Sequence, residues 1–326
     1  MTRRHGLPGM GYGLRRQLGV ALITAVLIVA LATILAVSVG FKGYLDQRRT
    51  ATTFALDQAY EVALGGEAWA ADSLRRDALQ SPKTDDFTEE WATPIPPIPI
   101  EGGEFQGVLE DMQGRFNLNS LVIVQGGKST VDDLAVKRLG RLLEILELEE
   151  KWASIIADWI DSDTNEGFPS GAEDSAYTSL TPPYRAANMP ITRTSELLAL
   201  PDFGIERYQK LEPFVTALPV GTPINLCTAA PEVLDSIVEG QIEYTLGRET
   251  TGELRQQRCH PSKTDFESRL TDEQKQEIND VIGETSSYFR STIWVTIGTT
   301  QFTLYSLLLR TETKLVRPIL RSYGTL

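Results

Sequence analysis

Residues Val20 to Val39 read VALITAVLIVALATILAVSV, a run of twenty residues without a charged side chain or a proline. Twenty residues in a helix rise about 30 Å, which is the thickness of the hydrocarbon core of a bilayer. The residues before Val20 include no acid and four arginines, which are Arg3, Arg4, Arg15 and Arg16. Because basic residues flanking a membrane-spanning helix stay on the cytoplasmic side, the run predicts a single-pass anchor with a cytoplasmic N-terminus.

A helical pattern continues beyond this membrane-length run. From Ala51 onward, small or apolar residues recur every three or four positions: Ala55, Ala59, Val62, Gly66, Ala70, Leu74 and Ala78. We therefore expect one helix of about 60 residues over 20–80, with 20–41 in the membrane and the remainder packed on a sheet or another helix. Two simpler interpretations stay open, a secretory signal peptide cleaved after residues 36–38 and a plain signal anchor.

The rest of the chain alternates between strand-like and helical segments. Strand composition marks Phe105–Val124 and a C-terminal hairpin of Ser287–Gly298 with Gln301–Thr311. Helical periodicity marks Val131–Leu148, Trp152–Ile160, Thr194–Leu200 and Ile205–Leu218. Prolines exclude Thr93–Pro99 from a helix or central strand and make Lys314–Tyr323 an edge strand. The predicted fold class is α+β, with a small antiparallel sheet interrupted by a large helical insertion.

The composition disfavours several classes of function. The 326 residues include 44 acids and 31 bases, a net charge of −13, whereas nucleic-acid-binding proteins carry a basic surface. Two histidines, His5 and His260, and two cysteines leave little material for a zinc site or for histidine catalysis. The segments INLCTAAPEVL and SELLALPDFG resemble helix-hairpin-helix DNA modules, but their hairpin is reduced to residues 202–204 and the surrounding charge is negative. We expect neither an enzyme nor a nucleic-acid-binding protein.

An acidic stretch at residues 144–174 carries ten acids and one base. Within it, Asp161-x-Asp163-x-Asn165 places oxygen ligands at alternate positions, as calcium loops do. The stretch is not an EF-hand, because Glu166 stands at the sixth position, where that loop requires glycine. Any calcium site here must therefore use a different arrangement of oxygen ligands.

A loop that folds Glu173 and Asp174 back onto Asp161 and Asp163 would bring four carboxylates together. Such a cluster is strongly repulsive unless a cation holds it, so the stretch predicts a calcium site, with Asn165 as a further candidate ligand. Two alternatives stay open, a solvated acidic surface and a carboxylate pair for glycoside hydrolysis. Hydrolysis is disfavoured because the only nearby tryptophans have the spacing of core residues.

Cys227 and Cys259 are the two cysteines of the chain. The predicted membrane topology places both outside the cytoplasm, where an even number of cysteines favours a disulfide. Closing a loop of this length would stabilise the fold by about 3–4 kcal/mol in the chain-entropy model. Two unrelated free thiols are the alternative.

Several segments of the chain resemble one family. A short basic leader ending at Gly19, followed by an apolar helix that continues into a soluble domain, is similar to type IV prepilins and type II secretion pseudopilins. Six further segments are similar to general secretion pathway protein K: ALGGE (63–67), DMQGRFNLN (111–119), ADWIDSD (157–163), GAEDSAY (171–177), YRAAN (184–188) and TPINLCTAAPEVL (222–234). The resemblance implies that prepilin peptidase cleaves between Gly19 and Val20 and methylates the new N-terminus at Val20.

Thr24 occupies the fifth position after the implied cleavage, where most pseudopilins carry glutamate. In a filament, that glutamate neutralises the buried N-terminal ammonium of the subunit ahead, because an unpaired charge in hydrocarbon is costly. A subunit at the tip has no subunit ahead of it, and proteins of the K class lack the glutamate. The resemblance therefore implies a minor pseudopilin that caps the pseudopilus or initiates its assembly with minor pseudopilins of the I and J classes.

The resemblance also implies an architecture and a cellular location. It places a leader at 1–19, the long helix at 20–80, and two parts of a pilin-like head at 81–124 and 221–326. Between them, residues 125–220 would form an inserted helical domain that binds calcium. Before it joins the pseudopilus, the protein would lie in the inner membrane with a periplasmic head. An alternative is a membrane-anchored extracytoplasmic calcium-binding domain unrelated to secretion.

Overall fold

A computed structural model describes residues 18–324, so the predicted leader lies outside the described residues except for Leu18 and Gly19. The helices are α1 Leu18–Gln80, α2 Asp133–Ile145, α3 Lys151–Ile160, α4 Asp174–Thr178, α5 Gly204–Leu211, α6 Pro231–Ile237, α7 Glu243–Leu246, α8 Arg248–Arg255, α9 Lys263–Glu267 and α10 Asp272–Ile278. The strands are β1 Ile95–Ile100, β2 Gly103–Asp111, β3 Phe116–Asn117, β4 Val122–Gln125, β5 Lys128–Val131, β6 Val215–Thr216, β7 Ile224–Asn225, β8 Ile282–Gly283, β9 Tyr288–Ile297, β10 Thr300–Arg310 and β11 Val316–Tyr323.

The chain divides into two compact units, residues 1–58 and 59–326. The described part of the first unit is the N-terminal portion of α1, which has 63 residues in all and confirms the predicted long helix. The most apolar window of α1 has a mean hydropathy of 3.0, and none of that window is buried. Among residues 18–324, α1 is the one helix long and apolar enough to cross a membrane, and it fits a single-pass anchor.

In the second unit, α1 packs against one face of the main sheet. The buried residues at this contact include Ala70, Leu74, Trp91, Leu109, Phe289 and Leu308. Gly66 permits a close approach, because a Cβ atom there would lie 3.2 Å from the side chain of Ile293 on β9. The small residues that recur along α1 in the sequence are therefore needed for close packing on the sheet.

The main sheet has five antiparallel strands in the order β1-β2-β9-β10-β11. β9 and β10 form the predicted hairpin, in which Ile297 pairs with Thr300 across the turn. β11 forms one edge, as Pro318 predicts. At the other edge, the proline-rich segment forms β1, which pairs with β2 through a register shift between Ile95 and Ile98. An edge position tolerates its prolines because the missing amide hydrogens would face solvent.

A helical unit is inserted between β2 and β9 and has its own core, which runs from Phe116 to Ile282. α2 begins at the cap Asp132, whose carboxylate accepts hydrogen bonds from two backbone amides, and α3 presents buried tryptophans at the predicted core positions. The sequence predicted a return to the β-rich head at residue 221, but the helices α6 to α10 lie between residues 231 and 278. These helices have four to eight residues each, too few for a clear hydrophobic period.

The predicted helix over Ile205–Leu218 is shorter in the structure than in the sequence-based expectation. α5 ends at Leu211, and Pro213 lies in a single 3₁₀ turn that leads into β6. The predicted helix over Thr194–Leu200 is a 3₁₀ segment that ends before Pro201. Both changes follow from proline, which cannot continue the α-helical hydrogen-bond pattern.

Candidate functional site

The acidic loop between α3 and α4 gathers three of the predicted metal ligands. Carboxylate oxygens of Asp161, Asp163 and Glu173 all lie within 4.8 Å of one another. Asp161 terminates α3 and Glu173 precedes the first residue of α4, so the two helix ends hold the loop at both sides. The predicted fold-back of the loop therefore places these carboxylates together.

Three carboxylate oxygens in this group are buried without hydrogen-bond donors. Asp161 and Glu173 are each 2% exposed, and Asp161 Oδ1 and both carboxylate oxygens of Glu173 have no hydrogen-bond partner. Burial, with the nearby charges of Asp163 and Asp158, raises the pKa of Asp161 to about 6. Burial and the charges of Asp158, Asp161 and Asp163 raise the pKa of Glu173 to about 7. Buried oxygens without donors fit a hard cation such as calcium, which neutralises charge and accepts oxygen ligands.

Asp158 holds the loop together through hydrogen bonds to its backbone. Its Oδ2 accepts hydrogen bonds from the backbone amides of Gly167 at 2.9 Å and Ala172 at 2.8 Å. Burial raises the pKa of Asp158. A Cβ atom on Gly171 would lie 2.1 Å from Asp158 Oδ2, so only glycine fits at that position. The sequence placed Asp158 among the acids of the stretch without a role, because its partners are backbone amides and leave no residue-type signal.

Asp174 and Asn165 differ from the predicted ligand set. Asp174 lies outside the three-carboxylate group; its side chain accepts a hydrogen bond from the amide of Ala186 at 3.1 Å and pairs with Arg185 at 3.7 Å. Successive residues at a helix start point in different directions, so the side chain of Asp174 is turned away from Glu173. Asn165 donates both its backbone amide and its side-chain amide to Asp163 Oδ1, at 2.8 and 2.9 Å. Asn165 therefore orients Asp163.

A second acidic group is paired with an arginine side chain. Carboxylate oxygens of Asp77, Asp85 and Glu89 lie within 4.8 Å of one another, but the guanidinium of Arg310 bonds Asp77 at 3.0 Å and Asp85 at 2.5 Å. Burial and the charge of Asp85 raise the pKa of Asp77 to about 6. The group joins the end of α1 to β10, because Asp77 lies in α1 and Arg310 in β10. Arg310 also donates to the carbonyl of Ser286 at 2.6 Å.

The two cysteines are joined by a disulfide between Cys227 and Cys259, with Cα atoms 4.6 Å apart. Cys227 lies between β7 and α6 and is fully buried, whereas Cys259 lies between α8 and α9. The bond links two connecting segments that flank helices the sequence did not predict. It therefore restrains the part of the helical unit that has the shortest helices.

Segments that resembled the protein K family form a buried polar junction between sheet and helical unit. Asn225 is fully buried and donates to Asp111 Oδ2 and to the hydroxyl of Ser286, each at 2.9 Å. Thr228 donates to the same Asp111 oxygen at 2.6 Å. Asn119 donates to two backbone carbonyls and accepts from the amide of Ile191. Sequence reasoning missed these roles, although Asn and Asp within apolar segments were the available signal.

The N-terminal part of α1 contains the residues of the implied cleavage site. Gly19 and Val20 are helical, and nothing lies within 4 Å of a Cβ atom placed on Gly19. The hydroxyl of Thr24 donates to the carbonyls of Val20 at 3.1 Å and Ala21 at 3.0 Å. Thr24 thus satisfies its polar group within its own helix, as a hydroxyl in a membrane helix must.

Comparisons with known proteins agree on one family. Residues 114–220 match the model of the family described as type II secretion system (T2SS), protein K. The chain is 36% identical over 323 residues to type II secretion system protein K of Pseudomonas aeruginosa, which covers 95% of this chain and 94% of that protein. It is 35% identical over 228 residues to type II secretion system protein K of Aeromonas hydrophila, covering 67% of this chain and 69% of that protein.

A solved structure has a similar fold. It is the crystal structure of the GspK-GspI-GspJ complex from the enterotoxigenic Escherichia coli type 2 secretion system, in which one chain matches with a TM-score of 0.74 and 24% identity. The match covers 85% of this chain and 100% of that chain. The fold agrees, and the 36% identity to the Pseudomonas protein extends over nearly the full length of both chains. This chain therefore belongs to the type II secretion system protein K family, the K-class minor pseudopilins.

Proposed function

We propose that this protein caps the tip of the type II secretion pseudopilus and initiates its assembly for export across the outer membrane. The observation that carries the proposal is the size of the helical unit, whose core runs from Phe116 to Ile282 between β2 and β9. Subunits in a filament shaft pack closely on every side, and an insertion of this size needs the space that only the end of a filament offers.

Thr24 also supports a location at the tip of the pseudopilus. A shaft subunit needs an acid at this place to neutralise the N-terminal ammonium of the subunit ahead of it, whereas a tip subunit has no such neighbour. The threonine hydroxyl is instead bonded to its own helix, to the carbonyl of Val20. Such a helix can end a filament without leaving an unpaired acid in the membrane.

The N-terminus supports a membrane-anchored precursor. In this proposal, prepilin peptidase cleaves between Gly19 and Val20 and methylates Val20. The four arginines of the leader keep the N-terminus cytoplasmic, so the helix crosses the inner membrane and the head lies in the periplasm. The disulfide between Cys227 and Cys259 is compatible with that oxidising compartment.

The proposed partners are the minor pseudopilins of the I and J classes. The GspK chain with the matching fold was crystallised in complex with GspI and GspJ. Family membership makes the same type of complex the best-supported assembly for this chain. It also disfavours the alternative of an anchored calcium-binding domain unrelated to secretion.

Calcium is the proposed structural cation of the helical unit. Asp161, Asp163 and Glu173 would hold it, and the ion would neutralise the buried carboxylates of Asp161 and Glu173, three of whose oxygens lack donors. The role of the ion is to fix the loop between α3 and α4, which Asp158 already closes through two backbone amides. The calcium would thus stabilise the part of the protein that distinguishes it from a shaft subunit.

Leader processing tests the proposal. The full chain is co-expressed with prepilin peptidase, and its N-terminus is determined by mass spectrometry. We expect loss of residues 1–19 and one added methyl group on Val20. Gly19→Ala should block cleavage, whereas the control Gly40→Ala, in the same helix and with no atom within 4 Å of the added Cβ, should be processed normally. Uncleaved wild-type chain, or cleaved Gly19→Ala chain, would contradict the proposal.

A further inference from the structure

The hairpin of β4 and β5 has little support from the core of the helical unit. It forms a separate two-stranded sheet, and its turn consists of Gly126 and Gly127, which have φ angles of 59° and 81°. At the tip of the hairpin, residues 123–130, every residue is exposed except Ser129, which is 7% exposed. A lone two-stranded hairpin is marginally stable in water, and glycines raise the entropic cost of ordering the turn. The order of the tip therefore depends on the contacts of Ser129.

Ser129 contacts the acidic loop through Ser162. The amide of Ser129 donates to Ser162 Oγ at 3.0 Å, and the carbonyl of Ser129 accepts from the hydroxyl of Ser162 at 2.9 Å and from its amide at 3.2 Å. Gln125 pairs with Lys128 beside the two-residue turn, and from there hydrogen-bonded and non-hydrogen-bonded pairs alternate. The next pair, Val124 and Ser129, is of the second kind, so the backbone groups of Ser129 face away from β4. Ser162 thus adds a third strand, one residue long, beside β5.

Ser162 lies between two of the three proposed calcium ligands, Asp161 and Asp163. Asp161 has extended backbone angles, with φ −70° and ψ 172°. Successive side chains of an extended segment point in opposite directions. The carboxylates of Asp161 and Asp163 accordingly lie together beside Glu173, whereas the hydroxyl of Ser162 bonds to the hairpin. A change at the carboxylates therefore acts on the same short segment of backbone that holds Ser129.

We propose that calcium binding at Asp161, Asp163 and Glu173 orders the tip of the β4–β5 hairpin through Ser162. This inference rests on the calcium site of the proposed function. Without an ion, the three carboxylates repel one another, and their repulsion opposes the backbone geometry that presents Ser162 to β5. With an ion, the carboxylates share one centre, which holds the backbone between Asp161 and Asp163 in place. The hairpin tip is then an element of the surface whose order depends on calcium.

Hydrogen exchange tests the coupling directly. The full chain in detergent is measured in millimolar calcium and in EDTA, exchange is followed by mass spectrometry, and calorimetry records calcium binding. We expect the amides of residues 123–130 to exchange about tenfold more slowly with calcium, which is the effect of one to two hydrogen bonds. The turn between β9 and β10, residues 298–300, lies in the main sheet and should exchange equally in both conditions.

Ser162→Ala separates the coupling from calcium binding. The variant loses the hydroxyl that bonds Ser129 twice and keeps all three carboxylates. It should bind calcium with the affinity of the wild type, yet calcium should slow the exchange of residues 123–130 by at most about twofold. In EDTA its exchange should match that of the wild type. The matched control is Ser179→Ala, another exposed serine, whose hydroxyl donates to the carbonyl of Ala176 at 2.8 Å, and it should keep the full calcium effect.

Each alternative result contradicts a different part of the proposal. Calcium binding without a change in exchange at residues 123–130 overturns the coupling and leaves both the calcium site and the place at the pseudopilus tip standing. Full protection of the hairpin tip in Ser162→Ala overturns the role of Ser162. Equally faster exchange of Ser162→Ala in calcium and in EDTA shows an ordinary structural bond and overturns the dependence on the ion. A wild type that binds no calcium overturns both the coupling and the calcium site.

Discussion

The substitution Glu173→Gln tests two expected effects of the Glu173 charge: it destabilises the loop without calcium, and it binds the ion. The substitution removes the charge and keeps the shape of the side chain. The pKa of Glu173 is raised from 4.5 to about 7, so at pH 8 the folded protein holds an ionised, buried carboxylate without a donor. A shift of this size corresponds to about 3 kcal/mol of destabilisation. Without calcium, the glutamine variant should therefore be more stable than the wild type by up to that amount.

The pH dependence follows from the direction of the shift. A group with a raised pKa in the folded state stabilises the protein below its unfolded pKa, and that contribution is lost as the pH rises through the folded value. The advantage of Glu173→Gln in the absence of metal should thus be present at pH 8, shrink as the pH falls below 7, and vanish near pH 4, where the carboxyl is protonated in the folded state and mostly protonated in the unfolded chain. In melting temperature, the gain at pH 8 would be about 6–12 °C for a domain of this size.

Calcium should narrow the difference in stability between the wild type and the variant. At a concentration of 100 times its dissociation constant, a bound ion stabilises the wild type by about 2.7 kcal/mol. The glutamine variant has lost one of three charged ligands and should gain less than half as much. The assay is thermal unfolding of the detergent-purified full chain, with EDTA or calcium, followed by tryptophan fluorescence. Trp152 and Trp159 are buried in the helical unit and report its unfolding.

Asp174→Asn provides the matched control. Asp174 is the neighbouring acid, but its carboxylate bonds Ala186 and Arg185 and lies outside the group of three. This variant should keep the full calcium gain and show no stabilisation at pH 8 in EDTA. Equal loss of the calcium gain in both variants would refute the assignment of ligands. A wild type whose melting temperature does not respond to millimolar calcium would refute the site.

Three further substitutions test the rest of the structure. Arg310→Met should destabilise the protein by about 3–5 kcal/mol, because it leaves Asp77 and Asp85 buried without a cation; a denaturation midpoint equal to that of the wild type would contradict this. Cys259→Ser should cost about 3–4 kcal/mol under non-reducing conditions and nothing relative to wild type in reductant, and mass mapping that finds both thiols free in the wild type would exclude the bond. Gly171→Ala should disrupt the loop that Asp158 closes and weaken calcium binding measured by calorimetry, whereas unchanged affinity would show that the loop tolerates a Cβ atom there.

The sequence predicted the long helix and the C-terminal hairpin because their signals are local. A charge-free run sets the membrane-length part of α1, and small residues at helical spacing set the face that packs on the sheet. Proline excluded residues 93–99 from the centre of the sheet and placed β11 at an edge, since a strand with proline cannot donate a full set of hydrogen bonds. These features depend on residues close together in the chain, so a single sequence is sufficient.

The features that the sequence did not predict depend on contacts between distant residues. Asn225 bonds Asp111 across 114 positions, and neither residue type by itself identifies the partner. The helices between residues 231 and 278 are short, and the packing of the unit stabilises them more than their own pattern does. In the acidic loop, Asp161, Asp163 and Glu173 lie together, but the sequence could not determine which side chain of Glu173 and Asp174 points inward. That direction depends on where α4 begins.

The central claim is that this protein occupies the tip of the pseudopilus, and its position in the filament tests that claim most directly. Pseudopili are assembled with a full-length chain carrying an epitope in the exposed turn at residues 126–127, and gold-labelled antibodies are imaged by electron microscopy. We predict label at one end of each filament and none along the shaft. Label distributed along the shaft, or filaments that assemble in normal number and length when the chain is deleted, would contradict the account.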